Sequence, residues 1–360
     1  MEVRGMDAAP LVTICIVTGR RIPLLDACLA SLQRQVDPPP FEVLVCSDGD
    51  KDVAQAVRSR FPDARIRTVR HAYPGAARNV LLDDARGELL LFLDDDVTVR
   101  PDHLVRLARL ARAHPDADVF GGPNDSPESS TRFQFVQGAA MASMVGAGPV
   151  RRRYGAHPAG PADERYFILC NLAVRRAAML PFDPDLVCAE ENALLSEMSR
   201  RGIAMYYDPE LAVFHERRDT FAGFGRQMYK YGRGRGQLMV RTPATASPAY
   251  LVPSALVAYA ALAPAAVALT KGRARGAVLA PLVAYGAVVG AGAVAIAATL
   301  RKPVTLPLAA ALIAELHVCY GAGVLRGITE RRRRGAEAEV SPWIDIEPEL
   351  APAQVLVEPA

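Results

Sequence analysis

The 360-residue sequence has no CxxC pair, and its six cysteines are irregularly spaced. Regular cysteine pairs are the usual sign of a zinc site or a disulfide framework, so we predict reduced and mostly buried cysteines. The formal net charge of +3 is too small to indicate a nucleic-acid-binding protein. The first residues lack a long apolar run before a cleavage site, and we therefore predict no signal peptide.

Short apolar runs alternate with helix-like periodic segments through the first half of the chain. Strands are predicted at 11–18, 41–46, 65–70, 89–93 and 117–121. Apolar residues at helical spacing follow the first strand, and a second helix is predicted over 76–86, where Gly87 can end it. This alternation predicts an α/β fold with a mostly parallel sheet covered by helices.

Three consecutive acids, Asp94, Asp95 and Asp96, directly follow the apolar run 89–93. Ligands of open parallel sheets bind at the carboxyl ends of the strands. Three adjacent carboxylates repel one another, and a divalent cation with its preference for oxygen ligands would relieve that repulsion. By itself, the segment fits equally well a solvated acidic turn before a helix that starts near Pro101.

Two other segments of the first half have residues suited to a nucleotide. Asp48 follows the second strand and can accept a hydrogen bond from a base or ribose, or merely form an Asp-Gly turn. Arg78 lies near a predicted helix N-terminus, which suits a phosphate group. Taken by itself, Arg78 is better explained by a solvent-exposed helix face.

Acidic and imidazole side chains recur later in the chain. Glu190 and Glu191 open a predicted helix, where carboxylates either complement the helix dipole or supply a general base. His215 ends the strand-like run 211–214 and can complete a metal site with two aspartates, although a lone histidine is more often structural.

From residue 249 the composition changes to long apolar runs rich in alanine and glycine. The segments 249–270, 276–300 and 303–325 approach or exceed the length that spans a bilayer. Buried soluble helices are the alternative. Basic residues favour the cytoplasmic side, and two full spans over 276–300 and 303–325 would keep the richest basic clusters there. The segment 249–270, interrupted by Pro253 and Pro264, would then be interfacial or re-entrant.

Two polar features accompany these apolar segments. Residues 221–241 mix aromatic and basic side chains, which suits either a headgroup-layer helix that attracts anionic lipid or an ordinary juxtamembrane helix. Glu315 is costly at membrane depth, so it should face a polar ligand or pack between helices near His317.

In this order, the motifs resemble those of family 2 glycosyltransferases with the GT-A fold, over roughly residues 11–240. The matching segments are Thr18–Arg21, Ser47-Asp48-Gly49, Ala76–Asn79, Asp94–Asp96, Asn171–Arg176, Glu190-Glu191 and Tyr207–His215. The Tyr231–Arg235 segment and the apolar tail are similar to membrane-attached, exopolysaccharide-type members. The sequence departs from the family pattern at Gly19-Arg20, at Ser47 and at Glu191, where the family has Asp.

The resemblance implies a GT-A-type, Rossmann-like mixed sheet with flanking helices, followed by a transmembrane region. It implies inverting transfer from a nucleotide-diphosphate sugar, expected to be a UDP-sugar, without a covalent intermediate. The implied donor-binding residues are Thr18, Asp48, Arg78, Asp94 and Asp95. Mn²⁺ or Mg²⁺ would be held by Asp94, Asp96 and His215, with Asp96 the primary ligand, and Glu191 would take the acceptor proton.

The implied organisation has a catalytic domain (1–220), a juxtamembrane segment (221–248), membrane helices (249–325) and a basic then acidic tail (326–360). The catalytic domain is expected in the cytoplasm of a multi-pass membrane protein. Its partners would be a lipid-linked or glycan acceptor and membrane lipids, with no nucleic acid. Two alternatives remain: a polyprenyl-phosphate sugar transferase of the same fold, whose acceptor phosphate needs no strong base, and a non-catalytic membrane scaffold.

Overall fold

The computed structural model describes residues 10–19, 21–47, 51–70, 73–186, 188–330 and 339–340. Its strands are β1 (Val12–Val17), β2 (Phe41–Ser47), β3 (Arg65–Arg70), β4 (Leu89–Asp94), β5 (Val97–Val99), β6 (Val119–Gly121), β7 (Asn124–Asp125), β8 (Gly160–Pro161), β9 (Leu172–Arg175), β10 (Met205–Tyr207), β11 (Val213–His215) and β12 (Glu339–Val340). The α-helices are α1 (Ile22–Gln33), α2 (Lys51–Arg60), α3 (Pro74–Asp84), α4 (His103–Ala113), α5 (Arg132–Met141), α6 (Met144–Ala147), α7 (Glu190–Arg200), α8 (Phe221–Arg241), α9 (Pro248–Leu269), α10 (Arg273–Thr299) and α11 (Leu306–Thr329).

The larger sheet has the strand order β12-β3-β2-β1-β4-β9-β6-β10-β8. The strands β3, β2, β1 and β4 are parallel, and β9 runs antiparallel between β4 and β6. A smaller sheet has the order β5-β11-β7. The predicted α/β fold with a mixed sheet and flanking helices is confirmed, and the observed elements lie within a few residues of the predicted ones.

The central strands are buried on both faces, which explains their continuous apolar sequence. Along β4, Leu89, Leu91 and Leu93 belong to one core cluster, whereas Leu90 and Phe92 belong to the other. This alternation follows from the two-residue period of a strand. All six cysteines are free, and four of them are buried, as predicted.

The sheet register brings the polar strand ends together. Val17 pairs with both Cys46 and Asp94, so β1, β2 and β4 end at one edge of the sheet. The antiparallel pairing of β5 with β11 places His215 opposite Val97, next to the third acid of the triplet. Residues far apart in the sequence therefore meet at the edge where ligands are expected.

Three C-terminal helices are long and apolar enough to cross a membrane by length and composition: Pro248–Leu269, Arg273–Thr299 and Pro303–Thr329. The predicted interruption at Pro253 and Pro264 was wrong, because α9 continues through both prolines. Proline removes a backbone hydrogen bond, but neighbouring helices can satisfy the freed groups in such segments.

Helix α8 packs along α11 with the two backbones in contact. A Cβ at Gly232 would lie 2.0 Å from the Tyr320 carbonyl oxygen, and one at Gly323 would lie 2.2 Å from the Tyr229 carbonyl oxygen. The Arg233 guanidinium also donates to both carboxylate oxygens of Glu330, at 2.7 and 2.8 Å. The juxtamembrane helix is thus fixed to the last apolar helix and forms a wall beside the sheet edge.

Candidate active site

Asp95 and Asp96 are two buried carboxylates at this edge of the sheet. Thr18 Oγ1, just after β1, donates a hydrogen bond to Asp95 Oδ2 at 2.7 Å. The Arg21 guanidinium donates to both Asp95 and Asp96. A cation of the chain itself therefore offsets part of the repulsion among the three acids.

Asp96 contacts Arg21 through Oδ2 and faces His215 through its other carboxylate oxygen, Oδ1. Asp96 Oδ1 is buried, makes no hydrogen bond within the described residues, and lies 3.1 Å from His215 Nε2. Asn124 Nδ2 lies 3.1 Å from His215 Nδ1 and orients the imidazole. Burial acts to raise the pKa of Asp96, but the charges of His215 and Arg21 outweigh it and hold the pKa below its ordinary value.

Asp94 has a different partner. Its Oδ1 accepts a hydrogen bond from Arg78 Nη2 at 3.2 Å, and burial raises its pKa although Arg78 opposes that shift. Among the described residues, no three His, Cys, Asp or Glu side chains form a group suited to a metal ion. Asp96 and His215 are adjacent, whereas the structure does not bring Asp94 into a common shell with them.

The donor set at Asp96 and His215 fits a divalent cation with two protein ligands. The buried Asp96 Oδ1 without a hydrogen bond and the adjacent imidazole nitrogen are both ordinary metal ligands. Mg²⁺ commonly takes one or two carboxylates and completes its shell with substrate phosphates and water. A metal at this position would therefore need the oxygens of a bound phosphate substrate.

The two glutamates at the start of α7 have separate environments. Glu190 is buried, and its Oε1 accepts a hydrogen bond from Arg78 Nη1 at 2.7 Å. Burial raises the pKa of Glu190, and Arg78 acts against that shift. Glu191 is half-buried, accepts a hydrogen bond from Asn192 Nδ2 at 2.7 Å and lies 3.6 Å from Arg153 Nη1. Glu190 is thus engaged by Arg78, while Glu191 is the more accessible carboxylate.

Almost all of the predicted site residues line one cavity of about 730 Å³. Thr18, Arg78, Asp94, Asp95, Asp96, Glu191 and His215 all line it. Asp48 lies outside the described residues, so its predicted contact with a base stays a prediction. The individual roles that the sequence suggested for the other residues also stay predictions.

Several residues that line the cavity were not predicted as site residues from the sequence. Arg21 was noted only as part of a motif, and nothing in the sequence singled out Arg153 or Asn192. Arg226, Lys230 and Arg235 belong to the basic segment 221–241, which was interpreted as a membrane-surface helix, yet all three line the cavity. The four-residue spacing of Arg226 and Lys230 was the available signal, because such residues share a helix face. The position of Arg235, five residues further along, carried no such signal.

The fold is similar to that of a solved glycosyltransferase. The mannosyltransferase PcManGT from Pyrobaculum calidifontis, solved in complex with GDP-Man and Mn²⁺, superposes with a TM-score of 0.60. The match covers 90% of this chain and 88% of that one at 19% sequence identity, a level at which the shared property is the fold.

The chain matches the sequence model of glycosyl transferase family 2 over residues 13–178, a little under half of its length. It is 33% identical to the succinoglycan biosynthesis protein ExoO of Rhizobium meliloti, over 31% of this chain and 33% of that protein. It is 26% identical to ExoM of the same organism, over 63% of this chain and 75% of that protein. An uncharacterised glycosyltransferase of Bacillus subtilis, YwdF, is 28% identical over 43% of this chain. The chain spans about half the length of YwdF and a third of ExoO.

Proposed function

We propose that the protein is an inverting, metal-dependent glycosyltransferase. It would move a sugar from a nucleotide-diphosphate sugar to a lipid-linked or glycan acceptor at the cytoplasmic face of a membrane. The observation that carries the proposal is that the acid triplet, His215, Arg78 and Glu191 line one cavity in a chain whose residues 13–178 match the family 2 model. A solvated acidic turn has no reason to face a histidine, a buried arginine and a second acidic pair.

Under this proposal, each predicted site residue that lines the cavity has a role. Thr18, Arg78 and Asp95 would contact the donor, and Asp96 with His215 would hold the cation; their common cavity and the adjacency of Asp96 to His215 support these roles. A bound divalent cation supplies Lewis-acid stabilisation of the departing diphosphate. Glu191 would take the proton of the attacking acceptor hydroxyl, because its carboxylate is accessible from the cavity. Direct attack on the anomeric carbon inverts its configuration and needs no covalent enzyme intermediate.

The membrane placement rests on the C-terminal helices. The cavity is lined by residues of α8, α9 and α11, and the latter two are long and apolar enough to span a bilayer. The basic residues of α8 favour the cytoplasmic side for this end of the cavity. A donor made in the cytoplasm would reach the cavity from that side, and an acceptor could reach it from the membrane.

A thermal-shift screen of the full chain in detergent tests the proposal. We expect one class of nucleotide sugar to raise the melting temperature with Mn²⁺ or Mg²⁺ and much less without it, because a ligand of the native state stabilises that state. Comparing UDP-, GDP- and dTDP-sugars identifies the base.

The variant Asp96→Ala should lose the metal-dependent part of this shift. Asp116→Ala is the matched control, since Asp116 is exposed and lies outside the cavity. An unchanged metal-dependent shift in Asp96→Ala would contradict the assignment of the metal ligand. The absence of any shift with every nucleotide sugar in the wild type would contradict the proposed function itself.

A further inference from the structure

One wall of the cavity is basic, and its outer part has no acidic partners. Arg226 and Lys230 lie one turn apart on α8, are exposed, and both line the cavity. Across the described part of the chain, neither side chain has a hydrogen bond or an ion pair. Like charges at this spacing repel one another along a helix, so the local sequence gains nothing from the pair.

The inner part of the same wall has two buried guanidinium groups. Arg153 and Arg235 are only 6% and 8% exposed, and each donates a hydrogen bond to Asn192 Oδ1 at 2.7 Å. Arg153 Nε is buried and makes no hydrogen bond to any described residue. Arg153 Nη2 also donates to the Glu164 carbonyl oxygen at 3.0 Å, and its Nη1 lies 3.6 Å from Glu191. Two buried cations therefore face a single carboxylate, so part of their positive charge is not compensated. Buried charges are normally paired, so this arrangement favours an anionic ligand.

The wall also borders an apolar surface. Tyr250 at the start of α9 and Tyr320 of α11 line the cavity, and the Arg235 guanidinium lies 4.3 Å from the centroid of the Tyr250 ring. Cationic side chains and aromatic rings therefore lie side by side where the cavity meets the predicted membrane helices.

We propose that this basic wall, formed by Arg153, Arg226, Lys230 and Arg235, binds the phosphate or diphosphate group of a lipid-linked acceptor. The inference rests on the proposed function and assigns the chemical class of its acceptor. Arg226 and Lys230 contact the phosphate oxygens, and the apolar chain of the lipid runs along α9. Since Glu191 lies next to Arg153, the reacting end of the acceptor faces the carboxylate.

Binding of short lipid phosphates to the full chain in detergent tests this assignment. The probes are farnesyl diphosphate, inorganic diphosphate and uncharged farnesol, with a nucleotide sugar and Mn²⁺ measured in parallel. The test variant R226Q/K230Q removes two unpaired charges, and R226K/K230R retains them. The control R34Q/R109Q removes two exposed charges outside the cavity and leaves the same net charge as the test variant.

We expect farnesyl diphosphate to bind the wild type more tightly than either inorganic diphosphate or farnesol. R226Q/K230Q should weaken this binding about tenfold or more, since hydrogen bonds to charged groups are each worth roughly that factor. R226K/K230R and R34Q/R109Q should keep most of it, and the nucleotide sugar should bind all four proteins alike.

Three outcomes would overturn the assignment. Equal binding of farnesyl diphosphate to R226Q/K230Q would show that the wall does not hold the phosphate. Equal affinity for inorganic diphosphate would identify a free anion rather than a lipid as the ligand. A parallel loss of nucleotide-sugar binding would place the wall in the donor site. If the wild type binds farnesyl diphosphate but no nucleotide sugar, the proposed function fails while the anion site stands.

Discussion

At the scale of single residues, the two neighbouring glutamates of α7 differ because their surroundings differ. Glu190 is buried against Arg78, whereas Glu191 is half-buried and contacts Asn192 and Arg153. The preceding Ala189 has a φ of +70°, a left-handed conformation that is uncommon for a residue other than glycine. Strained backbone of this kind tends to occur at functional sites, and here it starts the helix that points both acids into the cavity.

We expect Glu191→Gln to lower the rate of sugar transfer to a hydroxyl acceptor by about 10²–10⁴-fold, the usual contribution of a general base. Donor binding should be unchanged, because the amide keeps the size of the carboxylate. Steady-state transfer and donor thermal shifts measure the two effects. Glu197→Gln on the same helix is the control, since its ion pairs with Arg200 and Arg201 are on the surface and contribute little. Unchanged transfer would remove Glu191 as the base and favour a phosphate as the attacking group.

A second prediction at this scale concerns His103, the first residue of α4. It is 1% exposed, neither ring nitrogen has a hydrogen bond among the described residues, and burial lowers its pKa to about 4. The unfolded imidazole takes up a proton near pH 6.5, and the folded one does so only near pH 4. Neutral His103 therefore stabilises the fold above pH 6.5, and that contribution is lost as the pH falls towards 4, at up to about 1.4 kcal/mol per pH unit.

Melting temperatures of the wild type and of His103→Leu across this pH window measure the effect. The variant cannot titrate at this position, so the wild type should lose more stability on acidification than the variant. Parallel curves for the two proteins would show that His103 is not a source of acid sensitivity.

At the scale of elements, the glycines of α8 and α11 allow the two helices to pack closely, a role that was not predicted from the sequence. The glycines of the apolar segments were noted from the sequence only as part of their composition. In the structure, Gly232 and Gly236 of α8 and Gly323 and Gly327 of α11 each lie where a Cβ would come within 2.5 Å of a backbone oxygen of the other helix. Small residues permit such close helix–helix approach, as is common between membrane helices.

We expect Gly232→Ala to lower the melting temperature in detergent, because its Cβ would lie 2.0 Å from a carbonyl oxygen. Forcing an extra methyl group into a packed interface typically costs about 1–3 kcal/mol. Gly286→Ala on α10 is the matched control, since a Cβ there meets nothing within 4 Å. That control should be neutral or stabilising by up to about 1 kcal/mol, the helix propensity gained by replacing glycine with alanine. Equal melting temperatures for the two variants would contradict the close packing.

At the scale of the whole molecule, one core cluster joins the α/β part of the chain to its C-terminal helices. Val136 and Ala140 of α5 and Phe224 of α8 are buried together with Ile296 of α10 and Leu312 of α11. The composition changes sharply near residue 249, but the packing continues across that point. The helices α10 and α11 therefore serve the fold of the whole chain as well as any membrane attachment.

A chain ending at residue 247 should accordingly fail to give a monodisperse, folded monomer in the absence of detergent. Truncation exposes the apolar faces of α5 and α8, and contiguous exposed apolar patches promote aggregation. Size-exclusion chromatography measures the outcome, with a chain ending at residue 330 in detergent as the control. A monomeric truncated protein that binds a nucleotide sugar would show that the shared cluster is dispensable.

The sequence determined the features that depend on local patterns. Alternating apolar runs predicted the α/β sheet, and the polar residues after the strands predicted its edge as a site. Long apolar runs predicted the C-terminal helices, because hydropathy and length are properties of a segment. Only the continuity of α9 was misjudged, since the effect of Pro253 and Pro264 depends on neighbouring helices.

The tertiary structure decided which charges meet. Arg21 reaches Asp95 and Asp96, and Arg153 and Arg235 converge on Asn192, although each pair is distant in the sequence. No periodicity encodes such contacts, because they depend on how β1 pairs with β4 and on which separate elements border the cavity. The basic wall arises for the same physical reason: side chains from separate elements share one cavity only after the sheet and the apolar helices have packed together.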